Sequence, residues 1–474
     1  MNATIPNGTS FWRRLPAVQA FHELEHEPRS FLGYVAFNVV GWQCVIGPAL
    51  VLLARRIDMP PSWVGKLLSF TPLSMVLVLF TVRIISRVGS KRLMLAAWLT
   101  RNILICGVFL IPWVYGTWGP RAAWYVLMGS TLGFCLARAI GAGGWWPWLH
   151  ELVPSNQRGL YFSAETIVSN LISVVVLGVQ ALILMNSRSL GRYLLIYAIG
   201  VSAGFTSLIY IARIPGGKGS AEKQRHPETF ASYSRVLSDL PYLRFLAISA
   251  LSFSCLAWYT SCSVLYMRDA LGMSSGYITA ITSAGSLGIL LTIRAWGRFA
   301  DHSGSARAMA KTLFAFALAS LLFLLLLPDQ PWTRWAILPP AVASAVFNAA
   351  FNVSANRANL SFIKETGLVG YTNAWNVFIS LALGITPIVV GNIIDAWGLD
   401  GFRLCFAISG LGGILCALLC RVTVPDGEPV ALKMTELINP GLPIRTLARI
   451  AYITAGLHRS NRDSEYDTPG PHEP

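Results

Sequence analysis

Long apolar stretches alternate with short polar connections along this chain, and that alternation leaves few folds open to it. A helix needs about 20 predominantly apolar residues to cross the ~30 Å hydrocarbon core of a bilayer. Roughly twelve stretches qualify: 31–54, 64–85, 93–114, 122–146, 161–185 and 193–212, then 245–267, 277–296, 308–327, 335–354, 369–394 and 402–420. Membrane barrel strands would be about ten residues long and would alternate in polarity, so the run length predicts helices. Composition agrees, because only 12% of the 474 residues are charged, against about 25% in an average soluble domain. The expected fold class is an all-α membrane protein with twelve transmembrane helices.

A net charge of +15 would suit a nucleic-acid partner if the charges were spread evenly, but they are not. With the amino terminus placed in the cytoplasm, the inner segments carry Arg13, Arg14, Arg29, Arg87, Lys91, Arg92, Arg158, six Lys and Arg residues from Arg213 to Arg244, and Arg298, Arg307, Arg357 and Lys364. The outer loops and their edges carry fewer, among them Arg55, Arg56, Lys66 and Arg268. This positive-inside bias predicts a multi-pass protein of the cell inner membrane with both termini cytoplasmic. The bilayer then accounts for the basic excess and no nucleic acid is expected. Residues before Phe31 include Glu23, Glu25 and Glu27 and show no cleavable signal. All eight cysteines fall in predicted spans without a Cys-x-x-Cys motif, so they are expected to pack as small apolar residues, with no disulfide or metal framework.

The longest polar interruption between spans, 213–241, contains Pro215-Gly216-Gly217 and divides the spans six and six. The expected organisation is a cytoplasmic segment 1–30, a six-helix half 31–212, a linker 213–241, a second half 242–421 and a tail 422–474. A linker of this composition stays solvated and lets the halves move. In the tail, 444–457 mixes Arg445 and Arg449 with Leu447, Ile450 and Ile453 after Pro443, which predicts a short amphipathic surface helix. The halves look duplicated. Arg87, Gly89 and Arg92 lie 215 positions before His302, Gly304 and Arg307, and Gly159 lies 211 positions before Gly370. Parallel six-span repeats are one plan for a transporter, with the site at the repeat interface near the membrane midplane.

Gly297, Asp301, Gly304 and Arg307 resemble the Gly-x-x-x-Asp-Arg-x-Gly-x-x-Arg loop of the major facilitator superfamily, which joins the second and third spans of a half. His302 stands where that loop has an arginine. In the first half Val82 replaces the glycine and Ser86 the aspartate, leaving Arg87, Gly89 and Arg92 in register. A second segment, Trp145-Trp146-Pro147-Trp148-Leu149-His150-Glu151 followed by Arg158-Gly159-Leu160-Tyr161, looks like the fourth-to-fifth span loop of bacterial permeases in the same superfamily. The resemblance covers almost all of 31–420. It implies two pseudo-symmetric halves that work by alternating access, with the first and fourth spans of each half lining the cavity. It also implies that Asp301, with Arg307 and the first-half Arg87, latches the cytoplasmic face. Physically, glycines permit the tight turn, and an aspartate can pair with basic residues or a helix amino terminus. The Trp145-Trp146-Trp148 group reads as interfacial anchoring, and Glu151 with Arg158 as a candidate gate pair.

Ionisable residues inside spans are costly, ~2.5 to 3.5 kcal/mol at a helix centre. Arg101 and Arg138 each fall ~12 Å and Glu165 ~6 Å from the cytoplasmic edge at ~1.5 Å per residue. An arginine side chain can bridge that offset, so Arg138 with Glu165 is the candidate pair. Arg138 reads as a substrate contact, Arg101 as structural and Glu165 as a coupling site. Asn348, Asn352 and Asn356 recur every four residues, on one helical face, and such a stripe should face the bundle interior or a wet cavity. Asn38, Gln43 and Tyr259 complete the substrate-binding candidates. No phosphate-cradling loop, dinucleotide fingerprint or metal-ligand spacing appears, so neither an enzyme, a cofactor nor a metal is expected. The expected function is secondary active transport of a small-molecule substrate by a monomer, with protons as the candidate coupling ion. The alternatives are a drug efflux pump and a non-transporting assembly or pigment-delivery factor on the same scaffold.

Overall fold

The computed structural model describes residues 26–153, 158–185, 189–217, 236, 238–328, 330–362 and 368–424. The amphipathic helix expected at 444–457 lies outside the described residues, as do most of the linker and tail. Ten helical segments are long and apolar enough to cross a membrane, and two have double length: Ser90–Ala142 with 53 residues and Gly370–Thr423 with 54. At ~1.5 Å per residue each would stretch ~80 Å if straight, far beyond the ~30 Å hydrocarbon core. Each is interrupted by a glycine outside helical geometry, Gly119 at φ 81° ahead of Pro120 and Gly398 at φ 53°. Glycine takes such positive φ values without a Cβ clash. The chain reverses at both points: Gly107 packs on Ser130, Leu104 on Gly133, and Gly401 on Ile393 and Ile394.

The ten segments therefore make twelve crossings. They are α1 (Ser30–Arg56), α2 (Pro61–Thr81, helical on to Val88), α3 (90–118), α4 (120–142), α5 (Arg158–Leu184), α6 (Leu190–Arg213), α7 (Leu240–Ala270), α8 (Ser275–Ser303), α9 (Ser305–Leu325), α10 (Thr333–Phe362), α11 (368–397) and α12 (399–423). A short helix, Trp145–Leu152, separates α4 from α5. The expected spans fall in the same order on these segments, which among the described residues form ten continuous membrane-length helices. The duplication is visible in the backbone as well. Gly89 between α2 and α3 has φ 85° and ψ 153°, and Gly304 between α8 and α9 has φ 87° and ψ 155°. Two loops 215 positions apart thus make the same turn.

The side bearing Gly89, Gly304 and residue 217 is here the linker side, and the side bearing residues 57–60 and 271–274 the distal side. The halves meet along α2 with α11 and α5 with α8. Close approach there depends on glycine. A Cβ on Gly65 of α2 would overlap the Pro387 carbonyl of α11, one on Gly391 would sit 2.5 Å from the Pro61 carbonyl, and one on Gly276 of α8 would sit 2.5 Å from Met185 Cα. On the linker side, residues 214–217 dock on the first half instead of floating free. Trp148 Nε1 donates to the Pro215 carbonyl (3.1 Å), Gly217 N to Glu151 Oε1 (3.0 Å) and Ser90 N to the Gly217 carbonyl (3.1 Å). Lys91 Nζ caps α6 through the carbonyls of Ala212 (3.1 Å) and Ile214 (2.5 Å).

That docking bears on two expectations. The start of the linker is pinned, and Glu151 spends its carboxylate on the linker backbone. Trp148 is likewise no interfacial anchor. It is fully buried, edge-on to Phe31 at 5.3 Å, while Trp145 stacks on the other side of that ring at 4.7 Å. Aromatic rings pack well in such edge and offset arrangements, so Trp145 and Trp148 form core rather than a membrane belt. All eight cysteines are free thiols, seven of them buried.

Candidate functional site

Both halves present polar groups toward the interface, but of different kinds. In the first half two arginines lie inside the bundle. Arg101 is 2% exposed, with its guanidinium over the Trp98 ring at 4.3 Å and the Phe134 ring at 5.2 Å, and Nη2 donating to Asn38 Oδ1 at 2.6 Å. Trp98 Nε1 donates to the same Asn38 oxygen at 3.2 Å. Asn38 is thus committed to holding Arg101. Gln43 is similarly engaged, with Nε2 donating to Ser173 Oγ at 3.0 Å, which ties α1 to α5.

Arg138 is half-buried, and its guanidinium lies over the Trp42 ring at 4.3 Å, with Nη1 3.5 Å from Met75 Sδ. The described ion pairs are Arg55–Asp269, Arg268–Asp269, Arg357–Asp301 and Arg403–Asp400. Arg138 and Glu165 are not joined, which corrects the expected pair. Depth along the membrane normal put them within reach, but Arg138 is turned toward α1 and α2.

The second half contributes neutral polarity. A cavity of about 360 Å³ opens between α7, α8 and α10 and reaches Pro48 of α1. Tyr259, Thr260, Ser263, Ser286, Ser344 and Asn348 supply its polar lining. Ser344 Oγ donates to Tyr259 Oη at 2.6 Å. Asn352 Nδ2 donates to both the side-chain and main-chain oxygens of Asn348 at 2.8 Å, so two of the three stripe amides act as a unit. Asn356 is exposed, nearer the linker side, and α10 continues past it to Phe362 instead of ending before it.

Toward the linker side, Asp301 pairs with Arg357 of α10 at 3.3 Å. The partner thus lies outside the repeated loop. Arg307 sits one turn into α9, Arg87 ends α2 exposed, and the Arg158 side chain lies outside the description.

Sequence reasoning missed the distal seal. Arg55 Nε lies 2.9 Å from Asp269 Oδ2, Arg268 Nη1 donates to the Leu52 carbonyl at 2.6 Å, Ser62 N donates to Asp395 Oδ2 at 2.9 Å, and the Tyr193 and Ser275 hydroxyls are 2.8 Å apart. A little deeper, Ser283 Oγ donates to the Val174 carbonyl at 3.0 Å. Each of these contacts joins one half to the other. The one sequence signal was the charged pair Arg268-Asp269 ending an apolar run, which topology alone assigns to a loop.

Twelve helices in two repeated halves, packed through α2–α11 and α5–α8 around a polar interface, make a multi-pass membrane protein of transporter architecture. Residues 246–457 match the sequence profile of the Major Facilitator Superfamily. No curated protein matches the chain by sequence. Among solved structures, the nucleoside transporter NupG aligns with 13% identity over 87% of this chain and 100% of its own, at TM-score 0.59. A bacterial homologue of the iron transporter ferroportin, in an inward-facing state, aligns with 12% identity over 84% and 98% at TM-score 0.64. A D-xylose-proton symporter aligns with 14% identity over 85% and 99% at TM-score 0.60. Residues 246–457 are thus similar in sequence to the Major Facilitator Superfamily, and the chain as a whole is similar in fold to these solved transporters.

Proposed function

We propose that this protein is a secondary active transporter that carries a small solute across the cytoplasmic membrane by alternating access, and that the present structure is its inward-facing state. The observation that carries this reading is the placement of the contacts between halves. Every described hydrogen bond joining them involves residues within about ten positions, or ~15 Å, of the distal helix ends. The interface is sealed distally, and among the described hydrogen bonds none joins the halves on the linker side. The positive-inside bias assigns the linker side to the cytoplasm. Arg138, Tyr259 and Asn348 are the substrate contacts in this reading, Glu165 the proton site, and the Asp301–Arg357 pair stiffens the second half on the cytoplasmic face.

The test is side-specific labelling. With seven of the eight native thiols buried, Asn356→Cys offers an exposed thiol against a low background. A membrane-impermeant maleimide should label it in inverted vesicles and not in intact cells. Labelling from outside in intact cells would overturn the proposed state and orientation together.

A further inference from the structure

The structure assigns a chemical class to the solute: we infer a small hydroxylated organic anion, its acidic group held by Arg138 on the Trp42 ring and its hydroxylated body held in the Tyr259–Ser344–Asn348 cavity. This rests on the transporter reading above and gives it a substrate.

The first step is the uncompensated charge. Arg138 belongs to none of the described ion pairs, and its described neighbours are a thioether sulfur and an indole ring. Neither neutralises a guanidinium, which inside a membrane span is retained only where it is paired or hydrated. Stacking on tryptophan holds the plane of the guanidinium and leaves its edge donors directed outward, the arrangement that suits a carboxylate or phosphate. Arg101 lies behind, too buried to touch a solute at 2% exposure, with Nε lacking an acceptor among the described residues. Its charge adds to the positive potential without competing for the ligand. Two arginines disfavour a cation, and the described residues hold no cluster of His, Cys, Asp or Glu able to bind a metal ion.

The second step is what lies beyond the arginine. The second-half cavity has no charged lining residue, so it can stabilise hydroxyls but not a second acidic group. Asn352 occupies the Asn348 side-chain oxygen, which leaves the Asn348 amide nitrogen to donate. Ser344 donates to the Tyr259 oxygen, which leaves the tyrosine proton to donate in turn. Both donors suit hydroxyl or ring oxygens of a polyol. Trp42 and Pro48 both belong to α1, six positions apart on either side of a break at Gly47, so the arginine platform and the cavity wall are on the order of 10 Å apart. One molecule of about a dozen heavy atoms spans that distance, and about 360 Å³ is a small-ligand volume.

The experiment is a binding series on the purified full-length protein by isothermal calorimetry, with gluconate, glucose 6-phosphate, glucose and hexanoate. Gluconate or glucose 6-phosphate is expected to bind at least tenfold more tightly than both glucose, which lacks the charge, and hexanoate, which lacks the hydroxyls; the better of the two anions identifies the acidic group. Arg138→Gln should abolish the preference over glucose, whereas Arg138→Lys should retain part of it, which separates lost charge from lost folding. Asn348→Ala should reduce the preference over hexanoate and leave the preference over glucose. Equal binding of glucose and both anions, or an Arg138→Gln protein with the wild-type preference, overturns the assignment. Binding of none of the four by a protein that keeps the Asn356→Cys labelling pattern overturns the substrate class and leaves the transporter reading standing.

Discussion

The distal ion pair Arg55–Asp269 gives the sharpest quantitative handle on the cycle. It joins α1 to α7 at 2.9 Å, with side-chain exposures of 22% and 20%. At that separation and an effective dielectric of ~20, the gross Coulomb energy is about 6 kcal/mol. Solvent screening and side-chain ordering reduce such partly exposed pairs to ~0.2 to 1 kcal/mol net. Arg55 sits toward the upper end of that range, because its Nη1 is already anchored on the Met59 carbonyl at 2.5 Å and less rotamer freedom is lost. Asp269 also has Arg268 at 3.9 Å, so removing it releases more than one attraction. A double-mutant cycle with Arg55→Ala, Asp269→Ala and the pair isolates the coupling. About 1 kcal/mol is expected, which is about a fivefold shift in the ratio of distally open to distally closed protein. Fluorophores on unnatural amino acids at Arg56 and Gln330, exposed residues of opposite halves, would report that ratio by single-molecule energy transfer. At ~1 M salt, where the Debye length falls to ~3 Å, the wild type should approach the single variants. A coupling below ~0.3 kcal/mol, or a distance distribution unchanged by either replacement, would refute the pair as a gate.

Two further outcomes follow from the same geometry. Gly65→Leu places a side chain where the Pro387 carbonyl already lies, and overpacking of this kind costs ~1 to 3 kcal/mol. The same fluorophores should therefore show a predominantly open distal side, this time insensitive to salt, and a wild-type distribution would show that α2 and α11 need not touch. Proton movement accompanying gluconate uptake, read with a pH dye inside proteoliposomes, is expected for the wild type and absent in Glu165→Gln; a persisting proton signal would remove Glu165 as the coupling site.

The crossings were legible because their cause is one-dimensional: run length against bilayer thickness determines where helices lie, whatever their neighbours. The repeated loop was legible for a similar reason, since Gly89 and Gly304 each supply a backbone conformation that few other residues adopt. Pairing across helices was not legible. Arg138 and Glu165 were brought together by depth alone, but depth leaves the rotation of each helix about its axis undetermined, and that rotation sends Arg138 to Trp42 and Met75. Trp148 failed in the same way, because a tryptophan at the end of a span fits the membrane interface and a helix junction equally well. The distal seal depends on contacts such as Arg55 with Asp269, 214 positions apart, which no local pattern encodes.

The two copies of the repeated loop have diverged in how they hold the linker-side ends of their halves. In the second half Asp301 reaches across to Arg357 on α10, a pair whose carboxylate is 64% exposed and whose net worth is accordingly small. Position 86, which the 215-residue offset matches to Asp301, is a serine and cannot supply that charge. The first half is held there by the chain that follows it. Lys91 caps α6, Gly217 bonds to Ser90 and Glu151, and Trp148 takes the Pro215 carbonyl. Those involving side chains are part-buried, except that from Lys91 to Ala212, which is exposed. The consequence is mechanical. The first half, which carries Arg101, Arg138 and Glu165, is tied at its linker-side end by its own linker, and the second half is tied there by Tyr242 Oη, which donates to Asn359 Oδ1 (3.1 Å) and the Tyr371 carbonyl (2.9 Å), and by Tyr371 Oη, which donates to Asp239 Oδ2 (2.7 Å). When the distal seal opens, the exposed Asp301–Arg357 pair is the linker-side contact expected to break first, while the buried Tyr242–Asn359–Tyr371 bonds hold the ends of α7, α10 and α11 together.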